Sequence, residues 1–134
     1  MGRPVAVQML LDTHAFLWWL AGNTRLSGAA RRAIEDDANT IFVSAASAWE
    51  ITTKHRIGKL AQAEAVALDV AGSIGSQGFE GLAMTVDDAE RAGRLPGPHR
   101  DPFDRVLIAQ TLARNLTIVS IDQVFDGYGV HRLW

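Results

Sequence analysis

Apolar positions fall in short runs separated by polar, helix-like stretches, a rhythm that predicts strands alternating with helices. Val5 to Leu11 is rich enough in apolar residues for a buried strand. A helical segment follows from about His14 to Leu20. "LSGAARRAIEDDA" reads as an amphipathic helix capped by Ser27, and "TIFVS" as a second, short strand. "SAASAWEITTKHRIGKL" predicts a helix starting at Ser44 or Ser47 and stopped by Gly58. "AEAVALDVAGSI" predicts one further helix, and "AGSIGSQG" its end and turn. "FEGLAMT" reads as a strand, and "VDDAERAG" as a helix after Thr85. "GRLPGPH" is a loop. "DPFDRVLIAQTLARN" is a helix with Pro102 near its first position, "LTIVS" a strand, and "HRLW" a last, short one.

This order predicts an α/β domain with a mainly parallel sheet. The chain has 134 residues, which suits one domain over residues 1–134. In such sheets ligands sit beyond the carboxyl ends of the strands, where the strand order reverses. Candidate site residues should therefore fall just after strands.

Four acids meet that test or lie close to it. Asp12 ends the first predicted strand, and Glu50 lies in the helix after the second. Asp122 follows "LTIVS", and Asp104 begins the helix leading into that strand. Carboxylates brought together would repel and raise one another's pKa. A divalent cation relieves that repulsion, and oxygen donors without cysteine favour Mg²⁺ or Mn²⁺ over zinc.

Each acid also has a plainer role open to it. Asp12 suits a helix N-cap. Ser47 and Glu50 have the spacing of a capping box. Asp101 before Pro102 is a strong N-cap pattern, and Asp104 gains from the positive end of its helix. Asp122 suits a turn. The shared edge of the sheet is what favours chemistry over capping.

Composition narrows the picture. Hydrophobic residues make up 48% and charged residues 21%, ordinary for a globular protein. The absence of cysteine excludes a disulfide framework and fits a reducing, cytoplasmic setting. No apolar run reaches membrane-spanning length, and the start lacks a signal-peptide layout. Formal net charge is −2, with 13 Lys and Arg against 15 Asp and Glu. If four acids hold metal, the remaining side chains are slightly cationic, as an anionic substrate requires.

The segments "LLDTHAFLWWL", "SAASAWEITTKHRIGKL", "HRDPFDRVLIAQTL" and "VSIDQVFDGYGV" together resemble the PIN-domain family, in particular the VapC-type toxins of bacterial toxin–antitoxin pairs. The likeness covers nearly the whole chain with the blocks in order. It implies a small three-layer α/β/α sandwich and a Mg²⁺-dependent endoribonuclease, with Mn²⁺ able to substitute. It also implies a cognate protein antitoxin, a homodimer and a larger toxin–antitoxin complex. The family's acids map to Asp12, Glu50, Asp104 and Asp122. Asp101 is an extra acid of this branch, holding metal or capping its helix. The first residues, "MGRPVAVQ", form a slightly longer extension than is typical.

The implied reaction is hydrolysis of an RNA phosphodiester by metal-activated water. Asp12 and Asp104 lead as direct ligands, with Glu50, Asp122 and Asp101 completing the set. Thr13 and Ser120 offer nearby hydroxyls, or ordinary cap and turn roles. Lys54, Arg56, Arg100 and Arg105 are the candidates to hold phosphate. His14 and His99 lie near acids and are read as bonding locally. Of Trp18 and Trp19, one is read as core and the other as an interface residue; Trp49 and Trp134 are read as packing.

Other readings remain. An aspartyl-nucleophile phosphohydrolase needs a second Asp two residues after the first, where this chain has His14. A response-regulator-like domain needs a Lys after a late strand, and "LTIVSIDQ" has none. A catalytically inactive PIN-like module that binds RNA or protein is distinguished by whether RNA is turned over.

Overall fold

A computed structural model describes residues 6–60 and 63–134. Val5, the predicted start of the first strand, and most of the N-terminal extension lie outside the described residues. The central sheet has five strands in the order β3-β2-β1-β4-β5, and every pairing is parallel. The strands are β1 (Gln8–Leu11), β2 (Thr40–Ser44), β3 (Glu80–Leu82), β4 (Thr117–Val119) and β5 (His131–Leu133). The mainly parallel sheet foreseen from the sequence is thus wholly parallel among the described residues, with "HRLW" supplying the edge strand β5.

Side-chain alternation along β1 shows why there are helices on both faces. Met9 and Leu11 point into one core with Phe16, Ala30, Val43 and Ile51. Leu10 points into another with Leu107, Ile108, Ile118 and Phe125. A strand apolar on both sides must be covered on both sides. The first core is closed by α1 (Thr13–Ala21), α2 (Gly28–Glu35) and α5 (Val70–Ser76). The second is closed by α6 (Val86–Arg94) and α7 (Pro102–Arg114). Helix α3 (Ala45–Arg56) sends Ile51 into the first core and Ala46 into the second.

Local signals set most element ends. Ser27 caps α2 through Ala30 N–H at 3.0 Å. Thr85 and Asp88 form a reciprocal capping box on α6. Asn115 closes α7 in the left-handed conformation, φ +50°. One predicted helix is in fact two. "AEAVALDVAGSI" divides at Asp69 into α4 (Glu64–Leu68) and α5, because the Asp69 carboxylate accepts from Gly72 N–H and starts a new helix.

Asp88 also joins α6 to α7. Its buried carboxylate accepts from Gln110 at 3.1 Å and from Arg114 at 2.8 and 2.9 Å. Burial opposes its ionisation, but the bonds from Arg114, Thr85 N–H and Gln110 outweigh it and hold the carboxyl well below the usual carboxylate range. Asp88→Asn should therefore lower stability by about 3 kcal/mol at neutral pH, read by urea denaturation. The gap between the two proteins should be full above about pH 4 and narrow as pH falls below it.

Candidate active site at the carboxyl edge of the sheet

The register of β1 sets this edge. Leu11 pairs with Val43 on one side and Val119 on the other, so Asp12, Ser44 and Ser120 leave the sheet at one level. Strand order also reverses at β1, since β2 lies to one side and β4 to the other. Asp12 N–H donates to Val119 O at 3.1 Å and pins the first acid over this switch point.

Asp12 caps α1, with Oδ1 accepting from Ala15 N–H at 2.7 Å. Only 6% of the residue is exposed. Burial raises its pKa, Glu50's charge adds to the rise, and a Ser120 hydrogen bond, the Ala15 N–H and His14 act against it.

Glu50 is 4% exposed and does not close a capping box. Ser44, not Ser47, caps α3, so Ser47 and Glu50 lie inside the helix, three residues apart and on one face. That face meets the start of α1. The Thr13 hydroxyl donates to Glu50 Oε1 at 2.6 Å and lies 3.0 Å from Ser47 Oγ. Lys54, one turn on, bonds Glu50 Oε2. Ser47 therefore lies within the candidate site, although its sequence signal pointed to capping alone. Its spacing from Glu50 was the available clue.

Asp101 and Asp104 divide the work at the start of α7. Asp101 Oδ1 accepts from Phe103 N–H at 2.9 Å and Asp104 N–H at 3.1 Å, which makes it the cap. Asp104 meets His99 Nε2 at 2.8 Å. Burial pushes the Asp104 pKa up to about 6; the His99 bond opposes this, while the charges of Asp101 and Glu50 reinforce it. The Glu50 charge adds the smallest part of the rise at both Asp12 and Asp104.

Asp122 stands apart from that group. It is exposed, and its carboxylate caps a 3₁₀ helix at Gln123–Tyr128 through Val124 N–H at 3.0 Å. Its link to the centre runs through Ser120, whose Oγ accepts from Asp122 N–H at 2.9 Å. Among the described residues, no three histidines or acids are grouped closely enough to hold a metal ion.

The candidate cations also separate. Arg105 uses its guanidinium on the backbone carbonyls of Ala92, His99 and Leu95, so it clamps the loop before α7 instead of facing solvent. Arg56 and Arg100 are exposed. Trp18 and Trp19 are both half-buried, and Trp18 packs on Trp134 at 5.8 Å. Trp49, read as packing, is 53% exposed and meets Phe103 edge-on at 4.8 Å beside the acids. Its sequence position next to Glu50, on a helix whose apolar face is occupied by Ala46 and Ile51, explains the exposure.

A family model for the PIN domain matches residues 9–130. Comparison with curated proteins finds no match. Among solved structures, VapBC2 from Rickettsia felis bound to a promoter DNA fragment aligns with TM-score 0.69 and 16% identity, covering 95% of this chain and 98% of that one. VapC20 from Mycobacterium tuberculosis, a toxin that cleaves the sarcin–ricin loop, aligns with TM-score 0.60 and 21% identity, covering 91% and 95%. DNA-bound VapBC from Salmonella typhimurium aligns with TM-score 0.64 and 15% identity, covering 95% and 97%. These likenesses bear out the α/β/α fold.

The raised pKa of Asp104 has a consequence for stability. Between its ordinary 3.8 and about 6, the folded chain binds a proton that the unfolded chain releases. That contribution is full below pH 3.8 and is lost as pH rises towards 6. In metal-free protein, Asp104→Asn should remove this loss. The variant should gain on the order of 1–2 kcal/mol over the parent by pH 7, after discounting for partial exposure, and no advantage at pH 4. Paired urea titrations across that range measure it.

Proposed function

The chain belongs to the PIN-domain family, and from that premise we propose that it is a metal-dependent endoribonuclease serving as the toxin of a toxin–antitoxin pair. The observation that carries the reading is geometric: Asp12 leaves the central strand at the switch point, and Thr13 beside it bonds the buried Glu50 carboxylate. Burial raises the proton affinity of Asp12 and of Asp104, and the charge of buried Glu50 adds a small part at each. Carboxylates with raised proton affinity at a switch point fit a functional site.

The donor chemistry fits Mg²⁺ or Mn²⁺, which take carboxylate oxygens. Asp12 and Asp104 would hold the ion directly. Glu50, Asp101 and Asp122 would complete the set or orient waters. Lys54 on Glu50 and His99 on Asp104 now supply the complementary partners, and they would yield those oxygens to a cation. A bound Mg²⁺ lowers the pKa of water and neutralises charge on the phosphate.

The chain's own groups do the positioning. Thr13 bonds the Glu50 carboxylate, and Ser47 bonds the Thr13 hydroxyl in turn. Ser120 fixes Asp12, and the Arg105 clamp holds the His99 carbonyl and so places the imidazole on Asp104. Lys54, Arg56 and Arg100 would hold backbone phosphates without reading sequence. Attack by water, not by the ribose 2′-hydroxyl, leaves a 5′-phosphate and a 3′-hydroxyl.

The neighbours that are toxin–antitoxin complexes support a protein antitoxin as partner. Exposed Trp49 supports a further protein contact, consistent with a homodimer within a larger complex. No helix among the described residues is long and apolar enough to cross a membrane, and a cytoplasmic site of action is part of the proposal.

Antitoxin-free protein incubated with a mixed RNA pool tests the reading. Cleavage should require Mg²⁺ or Mn²⁺, stop with chelator, and fall at least ~10²-fold in Asp12→Asn and in Asp104→Asn. End analysis should find 5′-phosphates; 2′,3′-cyclic phosphates would overturn the mechanism. Folded protein that binds metal and RNA but cleaves none would favour the inactive binding module.

A further inference from the structure

A cavity of about 780 Å³ opens beside the acid group, walled by Leu95, Pro96, Pro98, Leu112, Val124 and Tyr128. Its size is within the range of small-ligand pockets, and its walls are mostly apolar. Two features distinguish it from an ordinary surface groove.

The first is continuity with the site. His99 lines the cavity, and its Nε2 is the atom bonded to Asp104. A group seated against His99 would therefore adjoin a phosphate held at the acids. Arg100, the next residue, is exposed at this point of the chain.

The second is an unused hydrogen bond. The Tyr128 hydroxyl is shielded from solvent and has no hydrogen-bond partner among the described residues. It lies against Gly97, where an added Cβ would come within 2.9 Å of the hydroxyl oxygen. Gly97 has φ +95°, a conformation that side chains disfavour, so the chain keeps the wall thin at this point. A buried hydroxyl left without a partner is unfavourable, and an entering polar edge would satisfy it where the Gly97 segment yields to expose it.

We propose that this cavity is a nucleobase subsite, taking one unstacked base of the RNA substrate next to the scissile phosphate. The proposal rests on the ribonuclease reading above and adds a source of base selectivity to it. Planar apolar faces suit Pro96, Pro98 and Tyr128, and the hydroxyl would meet the polar edge of a base that displaces the Gly97 segment from it. A splayed-out base of a loop is the form in which RNA exposes both features.

The test compares parent protein with Tyr128→Phe and Leu112→Trp. The first removes only a hydroxyl that has no bond to lose; the second fills the cavity from an exposed rim position. The RNA probe is a hairpin pool with randomised loop bases, read by sequencing the cut ends. The parent should prefer one base at one position beside the cut. Tyr128→Phe should reduce kcat/KM for that base by about fivefold or more and flatten the preference, and Leu112→Trp should raise KM. Cleavage with an unchanged base profile in both variants would overturn the subsite and leave the nuclease reading intact.

A second readout is independent of cleavage. Anisotropy of a labelled single-stranded octanucleotide with metal-free protein should show about fivefold weaker binding in both variants. Equal binding in all three proteins would overturn the subsite, whether or not the parent cleaves RNA. A parent that binds, with weakened variants, but cuts nothing would keep the subsite and remove the nuclease. If light scattering shows that Leu112→Trp changes the oligomeric state, a second copy covers the cavity and the base assignment falls.

Discussion

The double pairing of β1 is the constraint on which the rest of the structure depends. A central strand bonded in parallel on both sides must end level with both neighbours, and here Leu11 stands opposite Val43 and Val119. The residues that follow the three strands then emerge together. That is how Asp12 and Ser120, 108 positions apart by their residue numbers, come to stand side by side at one level. The same strand is apolar on both faces, so the helices that cover it bring Glu50 and Asp104 over the same edge. Burial of the core and assembly of the acid group are one event.

The acid group works against that core. Buried carboxylates that sense one another destabilise a fold unless something supplies opposite charge or hydrogen bonds. The chain supplies partial compensation from close by in sequence. Lys54 is one helical turn from Glu50, and His99 is five residues before Asp104. Thr13 and Ser47 tie Glu50 to the start of α1. These partners are enough to fold the site but leave Asp12 and Asp104 with raised pKa values. Asp88 provides the contrast. It is just as buried, yet Arg114, Gln110 and the Thr85 N–H satisfy it so fully that its pKa falls.

How much was legible in the sequence followed from how local each cause was. The Ser27 and Thr85 caps and the Pro102 helix start depend on near neighbours and stand where the pattern placed them, and each strand lies within its predicted stretch, with β1 and β3 shorter than predicted. The break at Asp69 was hidden because apolar spacing continues across it while a carboxylate–Gly72 bond interrupts the helix. Ser47-x-x-Glu50 was misleading for a different reason. Its spacing suits a cap, but Ser44 lies three residues earlier and caps first, which frees Ser47 and Glu50 to face α1. Arg105 could not be told from a phosphate ligand without knowing that three backbone carbonyls converge on it from the loop at residues 92–99. Asp122 passed the test of position after a strand, yet its side chain turns outward to cap the next helix.

Capping and chemistry were posed as rival explanations for the acids, and the structure shows why they need not compete. A carboxylate has two oxygens, and a helix cap engages one. Asp12 gives Oδ1 to Ala15 N–H, and Asp101 gives Oδ1 to two successive N–H groups. In each case the cap fixes the carboxyl plane and orients the second oxygen. At Asp12 the cap is what aims the acid over the switch point, because the helix start lies directly after the central strand. At α7 the duties are split between residues: Asp101 caps, and Asp104, one turn along, is left to His99 and the acid group. A parallel sheet places a helix start near each strand end as a matter of topology. Acids recruited there to satisfy backbone N–H groups are therefore already gathered at the edge where a ligand binds, and a second role requires only that one oxygen stay free.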